Sequence, residues 1–66
     1  MITFLDKEIV ETDDYDFFHK VAECLKRNHF DFQYKVTQEG IRQWHVYVKK
    51  KEFEEAEYVL HLDHVL

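Results

Sequence analysis

Apolar residues recur at three- and four-residue spacing across Phe17, Phe18, Val21, Ala22, Cys24 and Leu25, with Lys20, Glu23, Lys26 and Arg27 between them. One buried stripe on an amphipathic helix follows from that spacing. Thr12-Asp13-Asp14 supplies the start, because a short oxygen-bearing side chain can accept an orphan backbone N–H. Acidic residues in the first turn and the late cations both suit the helix dipole. Asn28 is the expected stop.

The period then changes to two. Phe30, Phe32, Tyr34 and Val36 alternate with Asp31, Gln33, Lys35 and Thr37, and Trp44, Val46 and Val48 alternate with Gln43, His45 and Tyr47. Alternation of this kind predicts half-buried strands. Gln38-Glu39-Gly40 between them is a short turn, so the pair reads as an antiparallel hairpin with Trp44 packed under the sheet.

Lys49-Lys50-Lys51 ends the alternation, and Phe53, Ala56, Val59 and Leu60 resume helical spacing. Glu52, Glu54, Glu55 and Glu57 fall near the start of that helix, where negative charge is favoured. Three neighbouring lysines on an acidic chain read as a solvated strand exit. Before the first helix lie two apolar pieces, Ile2–Leu5 and Ile9-Val10. Ile2–Leu5 is the expected first strand, with the residues after it leading into the helix. The tail Leu62–Leu66 either extends the second helix or forms a short strand, with Val65 and Leu66 packed.

The order strand, helix, strand, strand, helix defines an α+β fold, half of a ferredoxin-like sandwich with both helices on one face of the sheet. At 66 residues the chain is a single domain over 1–66, short for a self-sufficient core. Its 45% hydrophobic and 17% aromatic content nevertheless excludes disorder. Cys24 is the only cysteine, which excludes an internal disulfide and a multi-cysteine zinc site. Its place on the apolar stripe marks it as a small hydrophobe.

A formal net charge of −5 disfavours nucleic acid as a partner, since a basic footprint supplies most of that affinity. The first residues lack the basic and long apolar segments of a signal peptide or a membrane span, so a cytoplasmic protein is expected. No serine and no glycine-rich phosphate loop is present, and Asp13, Asp14 and Asp16 serve as cap and first turn. A non-enzymatic protein is therefore expected. Five histidines raise the question of a metal. His61 and His64 would share a face if the last helix ran through both. No H-E-x-x-H pattern or third carboxylate accompanies them, so no metal and no cofactor is assigned.

Two stretches carry a resemblance. HKVAECLKRNHFDFQYKV from His19 and VKKKEFEEAEYVL from Val48, with Val48, Ala56 and Leu60 at the corresponding places, resemble a family of small bacterial domains described as signal-transducing proteins, of unassigned function. Asn28-His29 stands where that family has a glycine-bearing turn, and Lys49 where it often has proline. The resemblance implies the same fold and a non-enzymatic binding role, and it brings no catalytic residue. The acidic, aromatic-rich character, the strand Gln43–Tyr47 and the tail Leu62–Leu66 are also similar to the small uracil-DNA glycosylase inhibitors of some phages.

The expected function is therefore a small regulatory module acting through protein–protein interaction, as a homodimer formed by edge pairing or by the tail. The mixed, hydrophilic sheet face and its neighbours supply the candidate contact residues His45, Tyr47 and Trp44, with Trp44 also a core candidate. The alternative is a phage-type inhibitor that mimics DNA toward a DNA-binding enzyme. In that reading Asp13, Asp14, Asp16, Glu52, Glu54 and Glu55 stand in for phosphates.

Overall fold

The computed structural model describes residues 7–66. Strand β1 runs Lys7–Thr12, helix α1 Tyr15–Arg27, strand β2 Phe32–Glu39, strand β3 Ile41–Val48 and helix α2 Phe53–Leu62, with a 3-10 turn at Lys50–Glu52 before α2. The three strands form one antiparallel sheet in the order β1-β3-β2. Both helices cover one face of it, as the alternation along the chain requires.

The expected strand Ile2–Leu5 lies outside the described residues. The expectation that the following residues lead into the helix is corrected: Lys7–Thr12 is itself a strand, paired with Trp44–Val48 of β3. Its apolar pair Ile9-Val10 is what the sheet needs, since Val10 is buried opposite Val46.

The core is the apolar stripe of α1 set on the inner face of the sheet. Phe18, Val21, Cys24 and Leu25 meet Val10, Val46 and Val48, and Ala56 and Leu60 of α2 close the other side. Leu25, Leu60, Val21, Val46, Val48 and Cys24 are the largest fully enclosed side chains. Phe32 faces Val48, Tyr34 faces Val46 and Val36 faces Trp44 across the hairpin. Gly40, the one residue between paired Glu39 and Ile41, has φ +84°, a left-handed value that favours glycine.

Local chemistry accounts for the helix ends. Asp14 Oδ1 accepts the Asp16 and Phe17 amides at 2.9 and 3.2 Å, and Thr12 Oγ1 accepts the Asp14 amide at 3.0 Å. At the other end of α1 the Phe30 amide donates to the Leu25 carbonyl and the His29 amide to that of Lys26. Helix α2 repeats the pattern, Val65 donating to Leu60 and His64 to His61. Both are Schellman closures, with His29 (φ 62°) and His64 (φ 58°) in the left-handed position usually held by glycine. The tail therefore neither extends α2 nor forms a strand. Val65 folds back against the core instead.

The C-terminal ends of the helices are tied together by side chains. The Cys24 thiol donates to Asp63 Oδ2 at 3.0 Å, and the Arg27 guanidinium donates to the same oxygen at 2.9 Å. Asn28 Nδ2 donates to the Cys24 carbonyl at 2.8 Å. Burial first, and the Asp63 carboxylate second, push the Cys24 thiol up. The thiol and the guanidinium together hold the Asp63 carboxyl below the usual carboxylate range.

Candidate functional site

The face of the sheet away from the helices is open. Strand β2 presents Gln33, Lys35 and Thr37 there, and β3 presents Gln43, His45 and Tyr47, paired as Gln33–Tyr47, Lys35–His45 and Thr37–Gln43. Period-two alternation puts them on one side. Thr37, Glu39, Ile41, Gln43 and His45 line a shallow hollow of about 400 Å³ at one end of this face.

Strand β1 adds two carboxylates to that face through an irregularity in its pairing. Glu8 lies opposite Tyr47 and Val10 opposite Val46, so β1 spends two residues where β3 spends one. That extra residue is a β-bulge. In a regular strand Glu8 and Glu11, three apart, would point to opposite faces. After the bulge Glu11 lies opposite His45, on the same face as Glu8.

His45 is the centre of the resulting group. Its Nδ1 is 2.6 Å from Glu8 Oε1, and its Nε2 is 2.9 Å from Thr37 Oγ1. The imidazole is 14% exposed while Glu8 is 39% exposed, so the ring is largely enclosed and its carboxylate partner wet. A carboxylate oxygen only accepts, so in the neutral ring the proton sits on Nδ1 and the Thr37 hydroxyl donates to Nε2. One ligand atom from each of Glu8, Glu11 and His45 lies within 4.8 Å of the others.

On the inner side, the β2 edge carries a different surface. The Tyr15, Phe18, Tyr34 and Trp44 rings form one cluster, with Tyr15–Trp44 centroids 5.5 Å apart, Phe18–Tyr34 5.3 Å and Phe18–Trp44 5.9 Å. Tyr34 is 60% exposed and Tyr15 55%, with Val36 also exposed beside them. Beyond them the outer backbone edge of β2 has no partner strand among the described residues.

The three candidate contact residues do not form one surface. His45 and Tyr47 lie side by side on the open face, whereas Trp44 points inward to the aromatic cluster, half-buried. The acidic candidates also divide. Asp13, Asp14 and Asp16 sit at the α1 start, beside the Thr12–Trp44 end of the sheet. Glu52, Glu54 and Glu55 sit at the α2 start, where Lys7, paired with Val48, places its ammonium 5.0 Å from the Phe53 ring centre. The two groups therefore lie toward opposite ends of the β1–β3 ladder.

The His61–His64 pairing on one helix face is corrected, because α2 ends at Leu62 and His64 takes the left-handed turn position. Glu8 and Glu11 are the residues that sequence reasoning missed. Their spacing in a strand reads as opposite faces, and nothing local in the sequence announces the bulge.

No family model matches the chain, and no curated protein or solved structure matches it at a significant level.

Proposed function

We propose that this protein is a non-enzymatic binding module that works by protein–protein interaction and assembles as a homodimer through the outer edge of β2. The observation that carries the reading is that edge itself: eight residues long, without proline or a bulge, and flanked by exposed Tyr34, Val36 and Tyr15. Natural sheets blunt such edges with proline, bulges and charge, and β2, which has only Lys35 in its middle to do so, is a template for another strand.

Among the twofold registers that pair five or more residues of β2, the one centred on Tyr34 is self-complementary on both faces. A twofold axis through Tyr34 sets Tyr34 against its own copy and Phe32 against Val36 of the second copy on the inner side. On the open side it sets Gln33 against Lys35. An axis through Lys35 opposes like charges, and an axis through Val36 sets Tyr34 against Gln38. Matched cross-strand pairs contribute roughly 0.2–1 kcal/mol each, and like charges directly opposite are unfavourable. The Tyr34 register therefore wins.

The dimer is a six-stranded sheet whose open face carries His45 and Tyr47 twice, and that doubled polar face is the contact surface for a further protein partner. Trp44 supports the edge by backing Tyr15. Sedimentation velocity over micromolar to millimolar protein tests the assembly. A shift from the 8.2 kDa chain toward twice that mass is expected, and Tyr34→Lys should abolish it. A monomer across the whole range, or association untouched by Tyr34→Lys, would overturn the reading.

A further inference from the structure

We infer that Glu8, Glu11 and His45 form a binding site for a divalent transition-metal ion of the zinc class, on the open face of the sheet. Nitrogen from an imidazole and oxygen from two carboxylates is a donor set that such ions accept, whereas magnesium and calcium prefer oxygen alone. All three donors come from one chain, so the site does not depend on the dimer.

The geometry is close to what an ion needs. The donor atoms lie within 4.8 Å of one another. Around a tetrahedral ion with bonds of ~2.0–2.1 Å they would be ~3.4 Å apart. Small rotations of the two exposed glutamate side chains reach that spacing, Glu8 drawing back from its 2.6 Å contact with Nδ1 to admit the ion, while the ring itself is already fixed. His45 is fixed because it is largely enclosed and because Thr37 holds Nε2.

Thr37 is well suited to this role. A ligating histidine binds the ion through one nitrogen and donates the other N–H to an oxygen, which sets the tautomer. When an ion takes the Nδ1 lone pair, the single ring proton resides on Nε2 and donates to Thr37 Oγ1. The hydroxyl then changes from donor to acceptor, which it can do without moving. The same contact serves the ring with and without the ion.

Electrostatics point the same way. Glu8 and Glu11 are brought to one face by the bulge, and among the described residues neither is within 4.0 Å of a lysine or arginine nitrogen. A cation between them relieves the repulsion of two close carboxylates on a chain of net charge −5. Bulges recur where a strand must re-aim a side chain. Three protein ligands leave one position open to solvent, the arrangement in which a further ligand can join.

Isothermal titration of the full chain with zinc chloride tests this, with magnesium chloride as the control. One zinc per chain is expected, undisturbed by millimolar magnesium. Glu11→Gln and His45→Gln should each weaken binding at least tenfold. Thr37→Val, which keeps all three ligands and the strand propensity, should weaken it about 10–100-fold. His61→Ala with His64→Ala should leave it unchanged. Circular dichroism of each variant establishes that the fold persists, and Glu11→Gln, an exposed near-isosteric change, keeps the test valid if His45→Gln unfolds. No zinc binding tighter than millimolar, or binding that survives Glu11→Gln, would overturn the assignment. Loss of binding in the His61/His64 variant would overturn it equally.

Discussion

Replacing a residue by glycine should stabilise this protein at two positions and destabilise it at most others, and the sign follows from φ alone. His29 and His64 sit at φ 62° and 58°, both on the surface, as the left-handed residues that close α1 and α2. A side chain with a Cβ costs about 1–2 kcal/mol in that region. Glycine removes this cost but adds about 0.5–1 kcal/mol of backbone freedom lost on folding. The net gain is about 0.5–1 kcal/mol for His29→Gly, and the same for His64→Gly. Lys20→Gly supplies the contrast. Lys20 is exposed in the middle of α1, with ordinary helical geometry, and glycine there costs about 1 kcal/mol relative to alanine. His29→Ala should be close to neutral, because alanine keeps the Cβ. Urea unfolding followed by helical circular dichroism reads all four variants. For a chain of this size 1 kcal/mol moves Tm by about 4–8 °C, so the effects are resolvable. If His29→Gly and His64→Gly destabilise as Lys20→Gly does, the left-handed closures are not a source of strain and the reasoning fails.

Four further predictions concern the fold. Leu25→Ala removes a fully enclosed side chain and should cost about 2–5 kcal/mol, around half of a total stability of roughly 3–10 kcal/mol; the urea midpoint should fall by a comparable fraction. Asp14→Ala strips two α1 amides of their acceptor and should cost about 1 kcal/mol, read the same way. Asp63, whose carboxyl the Cys24 thiol and Arg27 hold below its usual range, contributes stability that is present above the unfolded-state value and lost as pH falls through the folded one. Asp63→Asn should therefore flatten the acid limb of a stability–pH profile, and an unchanged limb would contradict the contact. In the native protein Cys24 should resist alkylation at neutral pH and react once urea unfolds the chain, since burial disfavours its thiolate.

Legibility in the sequence tracks how local the cause is. The stripe of α1, the alternation of β2 and β3 and the resumption of helical spacing at Phe53 are each set within a few residues, and each is where the spacing puts it. Strand β1 was harder, because its pairing depends on β3, far along the chain, and because the bulge between Glu8 and Val10 breaks the alternation that would announce it. The same break hid the carboxylates beside His45, whose neighbourhood is assembled from three strands. The turns after α1 and α2 use histidine where glycine is the usual signal, so the end of α2 and the path of Val65 could not be read from composition. The Cys24–Asp63 contact joins two helix ends and has no local signature at all.

The most direct test of the assembly is amide hydrogen exchange of β2 at several protein concentrations. In an antiparallel edge strand every second amide faces away from its one neighbour and is open to water. Pairing across the Tyr34 axis covers those outward amides. Their exchange should slow as concentration rises through the dimer range, while the β2 amides bonded to β3 change little and Tyr34→Lys removes the effect. Outward β2 amides that exchange at one fast rate at every concentration would contradict the account.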